Sequence, residues 1–226
     1  MIAVYYFSGA GHSRALANWV ANFIKVPVWE IGTEPFQKTE TAVVVFPVYC
    51  QNLPRPVKDF LRMVDARYVV LIASYGGISP GNVLQRAARS VRGTVIAAAA
   101  VPTGHSFLAQ PAREEYAALL PLCDRIHHPK KAEIPKLFQN PFAGFFPSWR
   151  SRMGVAISRT PACDNCKICE ISCPQQALHD GKPNHTCIRC LRCVSLCPRH
   201  ALQFSVRAMT KRYLHKQRDD RWYIFL

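Results

Sequence analysis

Two rhythms of apolar and polar positions run through the first 130 residues, and their alternation marks the elements. Residues 2–7 (IAVYYF) are a continuous apolar run, the pattern of a parallel strand covered on both faces. Over residues 13–24 the apolar positions Leu16, Trp19, Val20 and Phe23 recur at helical spacing. Residues 26–31 form a second short strand, and residues 41–49 (TAVVVFPVY) a third that is strongly β-branched. Residues 56–64 are helical, with proline near the first turn. A fourth strand spans 68–74 (YVVLIAS). A helix over 82–91 follows, with Asn82 as its cap. The alanines of the fifth strand, 94–101 (TVIAAAAV), imply close packing, and residues 112–127 form a last helix. Strands alternating with helices imply βαβ units and a parallel sheet. The expectation is an α/β domain over residues 1–135 with a five-stranded, doubly wound parallel sheet, which binds ligands beyond the carboxyl ends of its strands.

Residues 136–160 break this rhythm. Pro141, Gly144, Pro147 and Gly154 sit among Phe138, Phe142, Phe145, Phe146 and Trp149, which is too aromatic for a flexible linker. The segment reads as an ordered connector packed between two domains. The alternative is a membrane-surface segment, with Arg150 and Arg152 beside the aromatics. Charge sharpens the division. The chain carries a formal net charge of +15, and the connector and the tail 206–226 supply over half of it from a fifth of the length. Such an excess points to an acidic protein partner, nucleic acid or an anionic membrane surface. No run reaches the ~20 apolar residues needed to span a bilayer. The short apolar N-terminus lacks the features of a secretory signal, so a cytoplasmic location is expected.

Ten cysteines are present, and eight fall between 163 and 197. In a chain expected in the cytosol, that density means metal or redox chemistry rather than disulfides. The pattern C-x2-C-x2-C-x3-C-P occurs twice, as Cys163-Cys166-Cys169-Cys173-Pro174 and Cys187-Cys190-Cys193-Cys197-Pro198. A similar segment follows each proline, Gln175–Leu178 and Arg199–Leu202, so the unit is an internal repeat. Three thiolates with two residues between neighbours wrap three corners of a cubane in one tight loop, and the fourth corner needs a cysteine from elsewhere. Two four-thiolate zinc sites are the rival, although zinc requires neither the third cysteine nor the x3-C-P ending. Residues 161–205 resemble the bacterial 2[4Fe–4S] ferredoxins. In those proteins the fourth cysteine of each run ligates the other cluster. The resemblance therefore implies one [4Fe–4S] cluster on Cys163, Cys166, Cys169 and Cys197, and a second on Cys187, Cys190, Cys193 and Cys173.

Three glycine- and serine-bearing loops follow strands of the first domain. Phe7-Ser8-Gly9-Ala10-Gly11-His12-Ser13 opens the first helix, where backbone N–H groups and the hydroxyls of Ser8 and Ser13 make an anion site. The dinucleotide fingerprint G-x-G-x-x-G is a rival, with Glu30 placed for a ribose, but bulky Arg14 holds its third glycine position. The loop is closer to the phosphate loop FSGTGNS of flavodoxin–ferredoxin fusions, with Ala10 for Thr and His12 for Asn. Phe46-Pro47-Val48-Tyr49, followed by Pro54, looks like the loop on one side of the flavin ring. Ser74-Tyr75-Gly76-Gly77 looks like the loop on the other side. The resemblance to this fusion family extends to about residue 205. It implies FMN, with Tyr49 and Tyr75 beside the ring and the amides of Gly76 and Gly77 at its N1 and O2 edge. Other residues carry less. Cys50 reads as a packed residue or a redox thiol beside the ring, Cys123 as core, and His105 as a solvated loop histidine or a pocket rim.

The expectation is thus a flavodoxin-like domain (1–135), a connector (136–160), a small α+β 2[4Fe–4S] ferredoxin-like domain (161–205) and a basic tail (206–226). The implied role is electron transfer between FMN, two [4Fe–4S] clusters and an acidic redox partner protein. A flavin-dependent reductase acting on a small acceptor such as a quinone is the alternative. No specific nucleic acid is expected, and the tail offers a peripheral membrane contact.

Overall fold

The computed structural model describes residues 1–33, 38–108, 110, 115–144, 147–216 and 220–226. The strands β1 (Ile2–Tyr6), β2 (Val28–Glu30), β3 (Thr39–Pro47), β4 (Ala66–Tyr75) and β5 (Thr94–Pro102) lie parallel in the order β2-β1-β3-β4-β5. This is the doubly wound order of flavodoxin-like sheets, with its switch point between β1 and β3. The helices α1 (His12–Ile24) and α4 (Leu120–His127) cover one face, over Val43, Val45, Val70 and Ile72. The helices α2 (Arg55–Met63) and α3 (Val83–Ala88) cover the other, over Val44, Phe46 and Leu71. Adjacent residues of one strand, such as Val43 and Val44, are both fully buried, which is why the strands read as unbroken apolar runs. Each such side chain contributes about 1.5–3 kcal/mol.

Some bounds differ from the sequence expectation. The helix expected at 82–91 is only Val83–Ala88, and Asn82 makes no side-chain cap bond. The one expected at 112–127 is a 3-10 turn, Ala117–Leu119, followed by α4. Residues 112–114 lie outside the described residues.

The connector holds a 3-10 turn (Pro141–Gly144) and α5 (Pro147–Gly154). It meets the first domain through polar groups. Asn52 Nδ2 donates to the Ala143 carbonyl at 2.8 Å, and the Asn140 N–H donates to Gln51 Oε1 at 3.0 Å. Phe138 and Phe142 stay exposed, while Phe145 and Phe146 lie outside the described residues. β6 (Val155–Arg159) follows. A compact unit comes next, comprising α6 (Ile168–Ile171), the β7 (Leu178–His179) and β8 (Lys182–Pro183) hairpin, α7 (Arg192–Ser195) and β9 (Leu202–Val206). β6 pairs antiparallel with β9, so this unit starts at 155 and takes its first strand from the stretch read as connector.

The tail departs most from expectation. α8 (Ala208–Lys216) leads back to the first sheet, where β10 (Tyr223–Phe225) pairs antiparallel with Ala98–Ala100 of β5. The sheet therefore has six strands, not five, and the alanines admit a close-lying edge strand. Tyr75 Oη donates to the Arg221 carbonyl at 2.5 Å, and its ring packs on Tyr223 with centroids 6.3 Å apart. No helix among the described residues is long and apolar enough to cross a membrane.

Candidate functional site

The two cysteine runs fold as near copies of one another. Left-handed backbone recurs at matching positions: Asn165 and Arg189 (φ 59° and 55°), Lys167 and Leu191 (58° and 63°), Gln176 and His200 (47° and 49°). The single turns α6 and α7 hold the same place in each copy. Cys173 Sγ accepts the Ala177 N–H at 3.3 Å, and Cys197 Sγ accepts the Ala201 N–H at 3.2 Å. Alternating right- and left-handed residues turn successive N–H groups inward, which makes a nest for an anionic group.

Cys163, Cys166 and Cys169 line one small cavity together with Cys197, while Cys187, Cys190 and Cys193 line another with Cys173. The fold thus groups the fourth cysteine of each run with the first three of the other. Thiolates about 2.3 Å from a tetrahedral zinc lie about 3.8 Å apart. Among the described residues, no three of these sulfurs come within 4.8 Å of one another. Each set brings four thiols to one small cavity.

The two sets differ in surroundings. Cys166 is exposed, whereas Cys187 and Cys193 are buried. Burial pushes the Cys190 thiol up to about 11 and Cys193 up to about 12. Burial also raises Cys197, but the N–H groups of Leu202, Ala201 and Arg199 outweigh it and leave that thiol below its ordinary value.

A second feature lies at the carboxyl ends of β1, β3, β4 and β5, where a cavity of about 400 Å³ opens, within the usual range for small-molecule sites. Its floor is the three predicted loops: Ser8, Gly9, Ala10, His12 and Ser13; Pro47, Val48 and Tyr49; Ser74, Tyr75 and Gly76. Ser8 Oγ and His12 Nδ1 are buried without a partner, and Ser13 Oγ bonds Ser74 Oγ at 2.7 Å. Gly11, at φ 95°, is the N-cap of α1, and no side chain caps the helix. The first-turn N–H groups of α1 and the two orphaned side chains suit an anionic oxygen cluster such as a phosphate. Burial holds the His12 imidazole below its ordinary pKa, so near neutral pH it serves as an uncharged donor.

Several predicted neighbours sit differently from expectation. The Tyr75 ring is committed to Tyr223, so this residue is not free to stack on a ligand with both ring faces. Gly76 lies against His105, where an added Cβ would be 2.6 Å from the ring. His105 is therefore part of the cavity wall rather than a solvated loop residue. Gly77, at φ 70°, turns the chain after it. Cys50 lines the cavity, with its Sγ 3.5 Å from Ser151 Oγ. Cys123 is core, its thiol pushed up to about 11 by burial. The far wall escaped sequence reasoning. It comes from Val155, Ile188 and Arg189 of the small unit and from Met209, Tyr213 and Leu214 of α8. These residues are distant in sequence and carry no motif that points to the cavity.

Cavity and second cysteine set meet directly. A Cβ on Gly9 would lie 2.1 Å from the Cys190 carbonyl oxygen and 2.8 Å from Tyr49 Oη, so only glycine fits there. The Arg192 guanidinium donates to the Ser8 carbonyl from Nε at 3.1 Å and from Nη2 at 2.7 Å. It also pairs with Glu30 and lies over the Phe7 ring, 5.4 Å from its centroid. Glu30 thereby serves as an anchor for the cysteine loop rather than as a free ribose ligand. Burial and the neighbouring Cys190 hold the Tyr49 hydroxyl well above its usual pKa, against the opposing charge of Arg192.

No protein-family model matches the sequence, and the search of curated proteins finds no match. Among solved structures, the chain is similar to a provisionally assigned flavoprotein from Bacteroides uniformis ATCC 8492. The identity is 17%, the TM-score 0.37, and the match covers 46% of this chain and 92% of the other. A second such protein, from Bacteroides eggerthii DSM 20697, matches at 18% identity and TM-score 0.33, over 42% and 84% of the respective chains.

Proposed function

We propose that this protein is an electron relay that joins an FMN in the first-domain cavity to two [4Fe–4S] clusters on the two cysteine sets. The observation that carries the reading is the junction itself: the loop suited to a phosphate packs against the cysteine loop with Gly9 on the Cys190 carbonyl. Bound flavin exchanges electrons in pairs or singly, and cubane clusters pass them singly. The chain's own groups position these partners. The N–H groups ahead of α1, with Ser8 and His12, hold the phosphate, and Gly76 and His105 wall the ring. Arg192 pins the second cysteine loop to Ser8, which fixes the separation of the two centres. The loop that carries Cys187 and Cys190 reaches the cavity through Ile188 and Arg189, so this set is the nearer one. The Cys163, Cys166, Cys169 and Cys197 set, with exposed Cys166, is the outer terminal, where an acidic redox protein docks on the basic chain.

Cofactor analysis of anaerobically purified protein tests the reading. About eight iron and eight sulfide with one extractable FMN per chain is expected. Stoichiometric zinc, or clusters without flavin, overturns it. The alternative reductase reading is favoured by one observation, the apolar far wall of Met209, Tyr213 and Leu214. Rapid quinone turnover with a reduced donor and no protein partner would select it.

A further inference from the structure

The far wall of the cavity carries one charge that the reading above does not use. Arg189 is 8% exposed and lines the cavity, although it belongs to the cysteine loop between Cys187 and Cys190. Its Nε donates to the Val155 carbonyl at 2.9 Å, which anchors the guanidinium on β6. Its Nη1 is buried with no hydrogen-bond partner, and no acidic side chain among the described residues pairs with it. A buried guanidinium with an unmet donor and no acidic partner is costly, and a bound group that supplies the missing acceptor offsets that cost. The equivalent position in the first repeat is Asn165, whose Oδ1 accepts from Arg159 at the surface. The cysteine geometry therefore does not require an arginine here.

We infer that Arg189 is a ligand-binding residue that the small unit contributes to the first-domain cavity, where its guanidinium holds an anionic or acceptor oxygen of the bound flavin. The inference rests on the flavin reading. It makes the flavin site incomplete without the cysteine-bearing unit, because the cation and its anchor at Val155 both come from there. Two flavin groups offer this chemistry, the phosphate and the carbonyl edge of the ring, and they are separable by experiment.

The test uses full-length, cluster-loaded protein stripped of flavin, with FMN and riboflavin titrated by fluorescence quenching into wild type, Arg189→Met and Arg189→Lys. Iron content and absorbance near 400 nm establish that each variant keeps its clusters. A loss of roughly ten- to hundredfold in FMN affinity in Arg189→Met is expected, the range of a charge-assisted hydrogen bond, with partial recovery in Arg189→Lys. Equal losses for FMN and riboflavin place the contact at the ring, and a loss confined to FMN places it at the phosphate. Wild-type affinity in Arg189→Met for both flavins overturns the inference while leaving the flavin reading intact. A wild-type chain that binds neither flavin overturns both. If Arg189→Met does not keep its clusters, Arg189→Gln, which keeps a polar side chain without the charge, decides: wild-type affinity for both flavins in cluster-loaded Arg189→Gln overturns the inference.

Discussion

Replacing Gly9 by alanine probes the junction at its tightest point. The added methyl carbon would sit 2.1 Å from the Cys190 carbonyl oxygen, 2.9 Å from its carbonyl carbon and 2.8 Å from Tyr49 Oη. Ordinary carbon–oxygen contact is over 3 Å, so the two backbones must separate by roughly 1 Å. Neither is a flexible side chain. Gly9 opens the loop ahead of α1, and Arg192 and Ser195 hold the cysteine loop to the carbonyls of Ser8 and Gly9. Overpacking of this kind costs about 1–3 kcal/mol. The cost falls on the docking of the two units rather than on either core. Denaturant titration of the holoprotein, followed separately by cluster absorbance and flavin fluorescence, should show both transitions moving to lower denaturant together. Gly11→Ala is the control. It meets no atom within 4 Å but must adopt φ 95°, so it strains the α1 cap without touching the cysteine loop. Cluster release unchanged in Gly9→Ala, or shifted equally in Gly11→Ala, would refute the proposed contact as the coupling point.

Four further outcomes follow from the same contacts. Arg192→Met leaves the Glu30 carboxylate and the Ser8 carbonyl without their cation and should destabilise docking by about 3 kcal/mol, read by denaturant titration; Glu30→Gln should cost less. Tyr75→Phe removes the hydroxyl bond to the Arg221 carbonyl, a loss of about 1 kcal/mol, and should raise the rate of tail proteolysis without altering the cysteine sets. Iron-free protein should be cleaved within 161–205 while the first sheet stays intact, because the small core is little more than Leu178, Cys193 and Leu202, and metal supplies the missing folding energy. Since burial holds His12 below its ordinary pKa, the unfolded chain takes up this proton first. The His12 contribution is full above the unfolded value of about 6.5 and is lost as pH falls from there to the folded pKa. His12→Asn should flatten that part of the stability–pH profile, and an identical profile would count against the assignment.

Local patterns carried much of the sheet and of the cysteine chemistry. Unbroken apolar runs such as 68–74 announced strands because both faces are covered; the doubled cysteine spacing announced two sets, and the exchange of their fourth members came from the ferredoxin resemblance rather than from the spacing. What sequence could not show depends on contacts between distant segments. Tyr223–Phe225 is three residues long and has no period to detect, and its place on β5 depends on the narrow Ala98–Ala100 surface. Val155 looked like connector because its partner, Val206, lies 51 residues on. Arg189 and Arg192 carry no motif of their own, and only the fold sets one in the cavity wall and the other on Ser8.

The repeat also teaches a limit of symmetry. The left-handed positions match at three places across the two cysteine runs, as the doubled sequence pattern leads one to expect of similar halves. The first domain breaks that equivalence by covering only one of them. Lys167 and Leu191 share a left-handed conformation, yet Leu191 is 3% exposed beside the second cysteine set, while Lys167 stands in solvent. If both sets hold clusters as proposed, the one on the buried set would be surrounded by fewer water dipoles and lie in the loop that carries Arg189 and Arg192, which would give it a different reduction potential from the exposed one. Two resolved steps in a potentiometric titration, with only the step belonging to the second set moved by Arg192→Met, are the expected signature. A single step that no junction variant shifts would mean that the two sets are as alike electrically as their backbones are geometrically.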